Sequence, residues 1–344
     1  MIAAILSSLC LAIMVILDQL MMKDTYDNSP AQAIIVSSVG GAMFGLASTF
    51  TWWTLDSNSF GQYGTHTIQW LYPYGLLVAL AGVLSSQVLH QYFICFSKNA
   101  DGNVIASWLA ATPVFVYVTV LVLGALDLIA TDNLYSYKTI IGVLVTCLGL
   151  YLLEKVSTAG NPKTTNYRPN LVMFLVLSVI YIILIDWTLQ SGSQTLEVQP
   201  EIITLTLLPW FWVGFLYGAR TALEKKHRDA FKINWPTVRR FLLPILILEI
   251  IGMYVFFFEF IGLGELDSVT VALITGLHAV GVWIASVGLG LYHKRLDQNK
   301  RSTFSVCGVT VEQSALRQFV SPATVRYKQA GCVLIVATGI MLFF

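Results

Sequence analysis

The sequence predicts an all-α integral membrane protein of ten transmembrane helices, arranged as two inverted five-helix repeats. Three observations carry this. Of the 344 residues, 56% are hydrophobic and 11% charged, with a mean hydropathy of +0.72, whereas soluble domains carry about 25% charged residues. Apolar stretches of the length needed to cross a bilayer, about 20 residues, recur along the whole chain. Short motifs then repeat in the same order in the two halves.

The spans fall near 2–22, 31–55, 70–96, 102–124, 137–155, 170–191, 201–219, 240–261, 268–291 and 327–344. Each is predicted helical, because a segment in lipid must satisfy its own backbone hydrogen bonds, and none shows the alternating polarity of a barrel strand. The first span has no basic stretch before it and is expected to be retained as a helix. Five scattered cysteines (Cys10, Cys95, Cys147, Cys307 and Cys332) show no metal-ligand spacing. No metal site or cofactor is expected, and the net charge of +1 gives no sign of nucleic-acid binding.

Every Lys and Arg except Lys138 lies in or beside the loops after spans 1, 3, 5, 7 and 9, including "RTALEKKHRDAFK" and "HKRLDQNKR". Positive loops stay in the cytoplasm, so both termini are predicted outside, in the cytoplasmic or plasma membrane. The same basic loops could also hold anionic lipid or a partner.

The repeat is read from matched motifs. "SPAQAII" before span 2 answers "VQPEIIT" before span 7, and "NADGNVIASWL" answers "GELDSVTVALI", with Asp101 matching Asp267. "YKTIIGVLVTCLGLYLL" answers "YKQAGCVLIVATGIMLF", with Gly149 matching Gly339. Five spans per half force the halves into opposite orientations, a recurrent design of secondary transporters. The halves are predicted at 1–155 and 170–344, joined by a cytoplasmic linker at 156–169, with a long loop at 292–326 in the second half.

The segment "QYFICFSKNADGNVIASWLAATPVFVYVTVLVLG", followed by "IIGVLVTCLGLYLLE", with a fainter copy at 254–344, resembles the drug/metabolite transporter superfamily, in its EamA-like ten-helix branch. The resemblance covers nearly the whole chain. It implies a central cavity built from helices 1–4 and 6–9, with helices 5 and 10 supporting the sides, and alternating access between the two faces of the membrane.

Ionisable residues inside the spans are the candidate site, because a carboxylate at a helix centre costs about 2.5–3.5 kcal/mol on insertion scales. Asp18 and Asp186 are expected one near each mouth, as gate carboxylates or as interfacial residues pairing locally, Asp18 with Lys23 for example. Glu249 and His278 lie mid-span and are candidate proton carriers, or else partners in a structural bond of Glu249 to His278 or Tyr254. Glu259 is expected at the outer interface. Gln87 and His90 share a helix face and suit a polar cavity wall or an interhelical pair. Trp108, Trp212 and Trp283 are candidate cavity aromatics, able to hold a cation by its charge against their rings. Trp52, Trp53, Trp70 and other Trp residues near span ends fit interfacial belts. Gly40, Gly41, Pro113 and Pro209 are candidate hinges, with the first two and the last at corresponding depths of spans 2 and 7; ordinary close packing at the glycines and a tolerated proline kink are the other reading.

The expected function is secondary transport, not enzymatic catalysis, of a small polar molecule, with a cationic or zwitterionic amine preferred and proton antiport a candidate coupling. A neutral or anionic metabolite, such as a nucleotide sugar, remains the alternative, and a membrane-embedded enzyme acting on lipid the reading from another class. No span carries a central Lys or Arg, and no GxxxxGK[ST] phosphate loop is present. A homodimer is a candidate assembly.

Overall fold

In a computed structural model, described for residues 1–55, 71–98, 100, 102–110, 112–126, 137–158, 165–197, 200–266, 268–299, 302–306, 309–313, 316, 319–320 and 323–342, the chain is a bundle of helices with one small hairpin. Trp70, Asp101, Lys163, Asp267, Cys307 and Arg317 lie outside the described residues, as do the side chains of Trp52 and Trp53.

All ten predicted spans contain helix. They are α1 (Ile2–Asp24), α2 (Pro30–Leu55), α3 (Leu76–Ser97), the pair α4 (Gly102–Leu109) and α5 (Thr112–Ala125), α6 (Tyr137–Thr158), α7 (Arg168–Leu196) and α8 (Pro200–Phe215). After a surface helix, α9 (Lys225–Arg240), come α10 (Leu242–Glu265), the pair α11 (Ser268–Thr275) and α12 (His278–Gln298), and α13 (Ala323–Met341). Seven segments among the described residues are long and apolar enough to cross a membrane: Ile2–Asp24, Pro30–Thr51, Pro73–Ser97, Gly102–Ala125, Arg168–Thr195, Leu242–Glu265 and Ser268–Gln298. The chain is a multi-pass α-helical membrane protein.

Local chemistry sets several boundaries. Pro30, Pro200, Pro169 and Pro244 sit in first turns, where the missing N–H had no helical partner to lose. The turn between α1 and α2 is closed by Asp27 and Asn28 in left-handed conformations (φ 48° and 53°), which short polar side chains tolerate. Outward faces are apolar at helical spacing, as with Ile5, Leu9 and Ile13 on α1 or Leu144, Leu148 and Tyr151 on α6. Such faces suit lipid as their surroundings.

The helices pack as antiparallel pairs. Along α1 and α10, the terminal ammonium of Met1 meets Glu265 at 2.9 Å, Gly262 lies against Ala4, Ser7 Oγ donates to Val255 O at 3.1 Å, and Met14 reaches Gly252. Along α3 and α7, Asn170 donates to Gln91 at 2.8 Å and Tyr74 to Thr195 at 3.0 Å. Between α6 and α13, Gly149 lies against Val336 and Gly339 against Thr146. The helices α3 and α8 cross closely, so that side chains on Gly82 or Gly214 would collide with the carbonyls of Phe211 and Ala79. Small residues that bring backbones together are the usual currency of helix contact in lipid.

Two regions depart from the expectation of loops. After α8 the chain tightens into 3-10 turns over Leu216–Leu223 and then forms α9, tied to the bundle by Asn234, whose side-chain amide donates to Thr25 O at 2.8 Å and Gln32 Oε1 at 2.6 Å. The long loop 292–326 holds an antiparallel hairpin, β1 (Thr303–Val306) with β2 (Val309–Glu312), in register Thr303↔Glu312. Five of its eight strand residues, Thr303, Val306, Val309, Thr310 and Val311, are β-branched, which favours extended backbone over helix.

Gly40-Gly41 and Pro209, candidate hinges or else sites of close packing and a tolerated kink, interrupt neither span 2 nor span 7. The helix α2 runs unbroken through Gly40-Gly41, and α8 continues through Pro209. The interruptions fall in spans 4 and 9. Between α4 and α5 the break precedes Pro113, whose ring and missing N–H disrupt the preceding turn. Between α11 and α12 it falls at Gly276-Leu277. The two breaks meet, Gly276 packing against the Ala110 backbone.

Candidate functional site

The two breaks, with α1, α3, α7 and α10, enclose a central cavity of about 90 Å3. Thr112, Thr275, Gly276 and His278 border it from the breaks, Ser85 and Tyr92 from α3, Ser178 and Tyr181 from α7, and Phe256 and Glu259 from α10. No Lys or Arg is among its described lining residues.

His278 is 1% exposed. Its Nδ1 lies 2.7 Å from the Thr275 carbonyl, which can only accept, so this nitrogen carries the hydrogen. Its Nε2 has no hydrogen-bond partner among the described residues. Glu259 is 8% exposed rather than interfacial, and Tyr181 Oη donates to its Oε2 at 3.0 Å.

A matching bond joins the other pair of helices. Asp18, 2% exposed, accepts from Tyr92 Oη at 2.8 Å, in place of the pairing with Lys23 weighed above. One tyrosine–carboxylate bond thus links α1 to α3 and another links α7 to α10. Asp18 lies six residues before the end of α1, and Glu259 six before the end of α10.

A second compartment, about 20 Å3, lies among α1, α2, α3, α8 and α10, its lining including Asp18, Ser37, Gly41, Trp212 and Glu249. It adjoins the cavity across Met14, Leu89 and Phe256, which border both. Glu249, 6% exposed, fills the notch left by the glycines of α2. A Cβ on Gly40 would stand 2.8 Å from Glu249 Cγ, and one on Gly41 3.4 Å from Oε2. Ser37 and Gly41 line the space beside the carboxyl, whose Oε1 has no partner among the described residues. Trp212 is fully buried and fits against Gly45.

Glu249 and His278 therefore border different compartments, and His278 bonds Thr275 instead of Glu249. Tyr254, 42% exposed, stacks on Phe258 on the outward face of α10. Asp186 is half-buried on α7 and borders neither compartment. Gln87 and His90 are half-buried on α3 and border neither compartment, unlike Ser85, Leu89 and Tyr92. Trp108 packs into the main core without bordering either compartment, and Trp283 donates to Gln329 at 3.2 Å beside α13. A groove of about 540 Å3 between α5 and α7 is larger than either compartment. Its lining, which includes Phe115, Val176, Ile180 and Trp187, is exposed and apolar as a lipid-facing surface would be.

Sequence reasoning missed Tyr92 and Tyr181, and it misplaced Glu259. A signal for Tyr92 existed: Ser85, Leu89 and Tyr92 recur at i, i+4 and i+7, which puts them on one helix face. Neither any family model nor any curated protein matches the sequence.

Proposed function

We propose that the chain is a secondary transporter working by alternating access, with the central cavity as its substrate site and a small organic amine, cationic or zwitterionic, as its preferred cargo. The observation that carries this reading is the cavity at the meeting point of two broken helices, with Glu259 and aromatic rings in its wall and no Lys or Arg among its described lining residues. A buried carboxylate attracts a cation, and ring faces add to that attraction. Broken helices in matching positions of two halves mark transporter binding sites. The same lining offers an anionic metabolite no fixed positive charge.

The reading extends to ten crossings in two inverted halves, as the resemblance to the drug/metabolite transporter superfamily implies, with both termini outside the cytoplasm. Helix pairing supports it. Shifting each span by five maps the pair α1–α10 onto α7–α3, and α6–α13 onto itself. In that last pair the contacts are reciprocal, since the alignment that matches Gly149 to Gly339 also matches Thr146 to Val336.

A thermal-shift screen of amines, amino acids and sugars on the purified protein tests the cargo, because a ligand that prefers the folded state raises its apparent stability. Stabilisation by amines, followed by their gradient-driven accumulation in proteoliposomes, is expected. Stabilisation by anionic sugars alone would overturn the amine assignment, and product formation without accumulation would overturn transport.

A further inference from the structure

We propose that the small compartment among α1, α2, α3, α8 and α10 carries the coupling proton on the Asp18–Glu249 pair, apart from the cavity that takes the organic substrate. This rests on the transporter reading, because a coupled proton needs a cargo to be coupled to.

The compartment is built around a carboxyl. Gly40 on α2 leaves room for Glu249 where a Cβ would stand 2.8 Å from its Cγ, and Gly41 beside it lines the same space. One of the Glu249 oxygens is nevertheless left without a partner among the described residues. Asp18 borders the same small space, so two carboxyls line one compartment.

The remaining ionisable groups cannot neutralise that charge. Tyr92 donates to Asp18, and the buried hydroxyl of Tyr26, in the turn after α1, has no partner among the described residues. Both are phenols, which add no positive charge. The described lining contributed by α2, α3 and α8 contains no Lys, Arg or His. Two anions buried together without a cation are strongly disfavoured, so a positive charge must be supplied from water.

Size selects the proton. A space of about 20 Å3 holds roughly one water molecule, which excludes an organic cargo. Hydronium gives its proton to the unpartnered Glu249 oxygen, forming an O–H bond and leaving water, and release reverses both changes. Met14, Leu89 and Phe256 form the partition, so a substrate in the larger cavity presses on the walls of the proton's compartment.

Trp212 borders this compartment and reports on it. Tryptophan fluorescence of the full chain in detergent would be titrated from about pH 5 to about pH 9, where carboxyl groups held away from water exchange protons, and the Trp212→Phe trace subtracted. The expected result is a pH-dependent Trp212 signal that is lost in Glu249→Gln and displaced along the pH axis in Asp18→Asn. An unchanged signal in Glu249→Gln, or no displacement in Asp18→Asn, would overturn the proposal. So would a response to sodium chloride that choline chloride does not reproduce, because the compartment would then take a metal cation. The titration needs no cargo. A Glu249-dependent signal without any vesicle transport keeps the proton site and removes the transporter reading, and transport with a flat titration does the opposite.

Discussion

Tyr92 Oη donates a 2.8 Å hydrogen bond to Asp18 Oδ2 in the interior of the bundle, where both residues are almost wholly shielded. Removing one partner of such a bond leaves the other unsatisfied, at a cost of about 1–3 kcal/mol, with charged groups at the upper end. Tyr92→Phe is therefore expected to lower the thermal unfolding midpoint in detergent. Asp18→Asn should relieve part of that loss in the double variant, because an amide has less need of the lost donor. A double-mutant cycle with zero coupling energy would show that the contact contributes nothing.

Glu259 and Tyr254 lie on the same helix, five residues apart, and face different surroundings. Glu259 borders the cavity, whereas Tyr254 stacks outward against Phe258. Glu259→Gln keeps the shape and removes the charge, and is expected to weaken binding of a stabilising amine by about tenfold or more, on the scale of a single desolvated charge contact. Tyr254→Phe should leave that affinity within about twofold. Equal effects of the two variants, read from ligand-dependent melting curves, would mean that the cargo does not meet this carboxylate.

The glycines divide by what surrounds them. A side chain on Gly82 or Gly214 would enter the backbone of the opposing helix, while a Cβ on Gly288 or Gly331 meets nothing within 4 Å. Gly214→Ala is expected to cost at least the 1–3 kcal/mol of ordinary overpacking and to reduce the monodisperse yield. Gly288→Ala should be neutral or stabilising by about 0.5–1 kcal/mol, because alanine loses less backbone freedom in a helix. Similar melting points for the two variants would mean that α3 and α8 do not cross as closely as Gly214 and Ala79 indicate.

What was legible in the sequence follows from which interactions are local. Apolar length is local, so each predicted segment contains helix and seven of them, among the described residues, are long and apolar enough to cross a membrane. The charges of Asp18 and Glu249 stood out against their apolar runs. The partners of those carboxyls were not legible, because Tyr92 and Tyr181 approach them from other helices. Glu259 was misread because its depth was counted from the nearest helix end, and that count says nothing about the face on which the residue sits. The break before Pro113 has a chemical cause in one residue, whereas the Gly276 break looked like any other glycine. Glycines at 40 and 41 suggested a hinge, yet they leave the helix intact and make room for a carboxyl that arrives 208 residues later in the chain.

Orientation is the remaining prediction, and it turns on α9. Its Lys225, Lys226, Arg228, Lys232, Arg239 and Arg240 are all exposed, while Asn234 fastens the helix to the turn after α1. Basic segments beside membrane helices stay on the cytoplasmic side, and the Met1–Glu265 ion pair lies at the opposite ends of α1 and α10 from that turn. In a background with Cys10, Cys95, Cys147, Cys307 and Cys332 replaced, Lys226→Cys should therefore react with a membrane-impermeant maleimide only in inverted vesicles. A cysteine at Glu265, on the far side, should react only from outside intact cells. The reverse pattern would turn the whole bundle over while leaving every contact inside it unchanged. Labelling of both positions from one side would separate the ends of α10 from the two faces of the membrane, and with them the crossing of that helix.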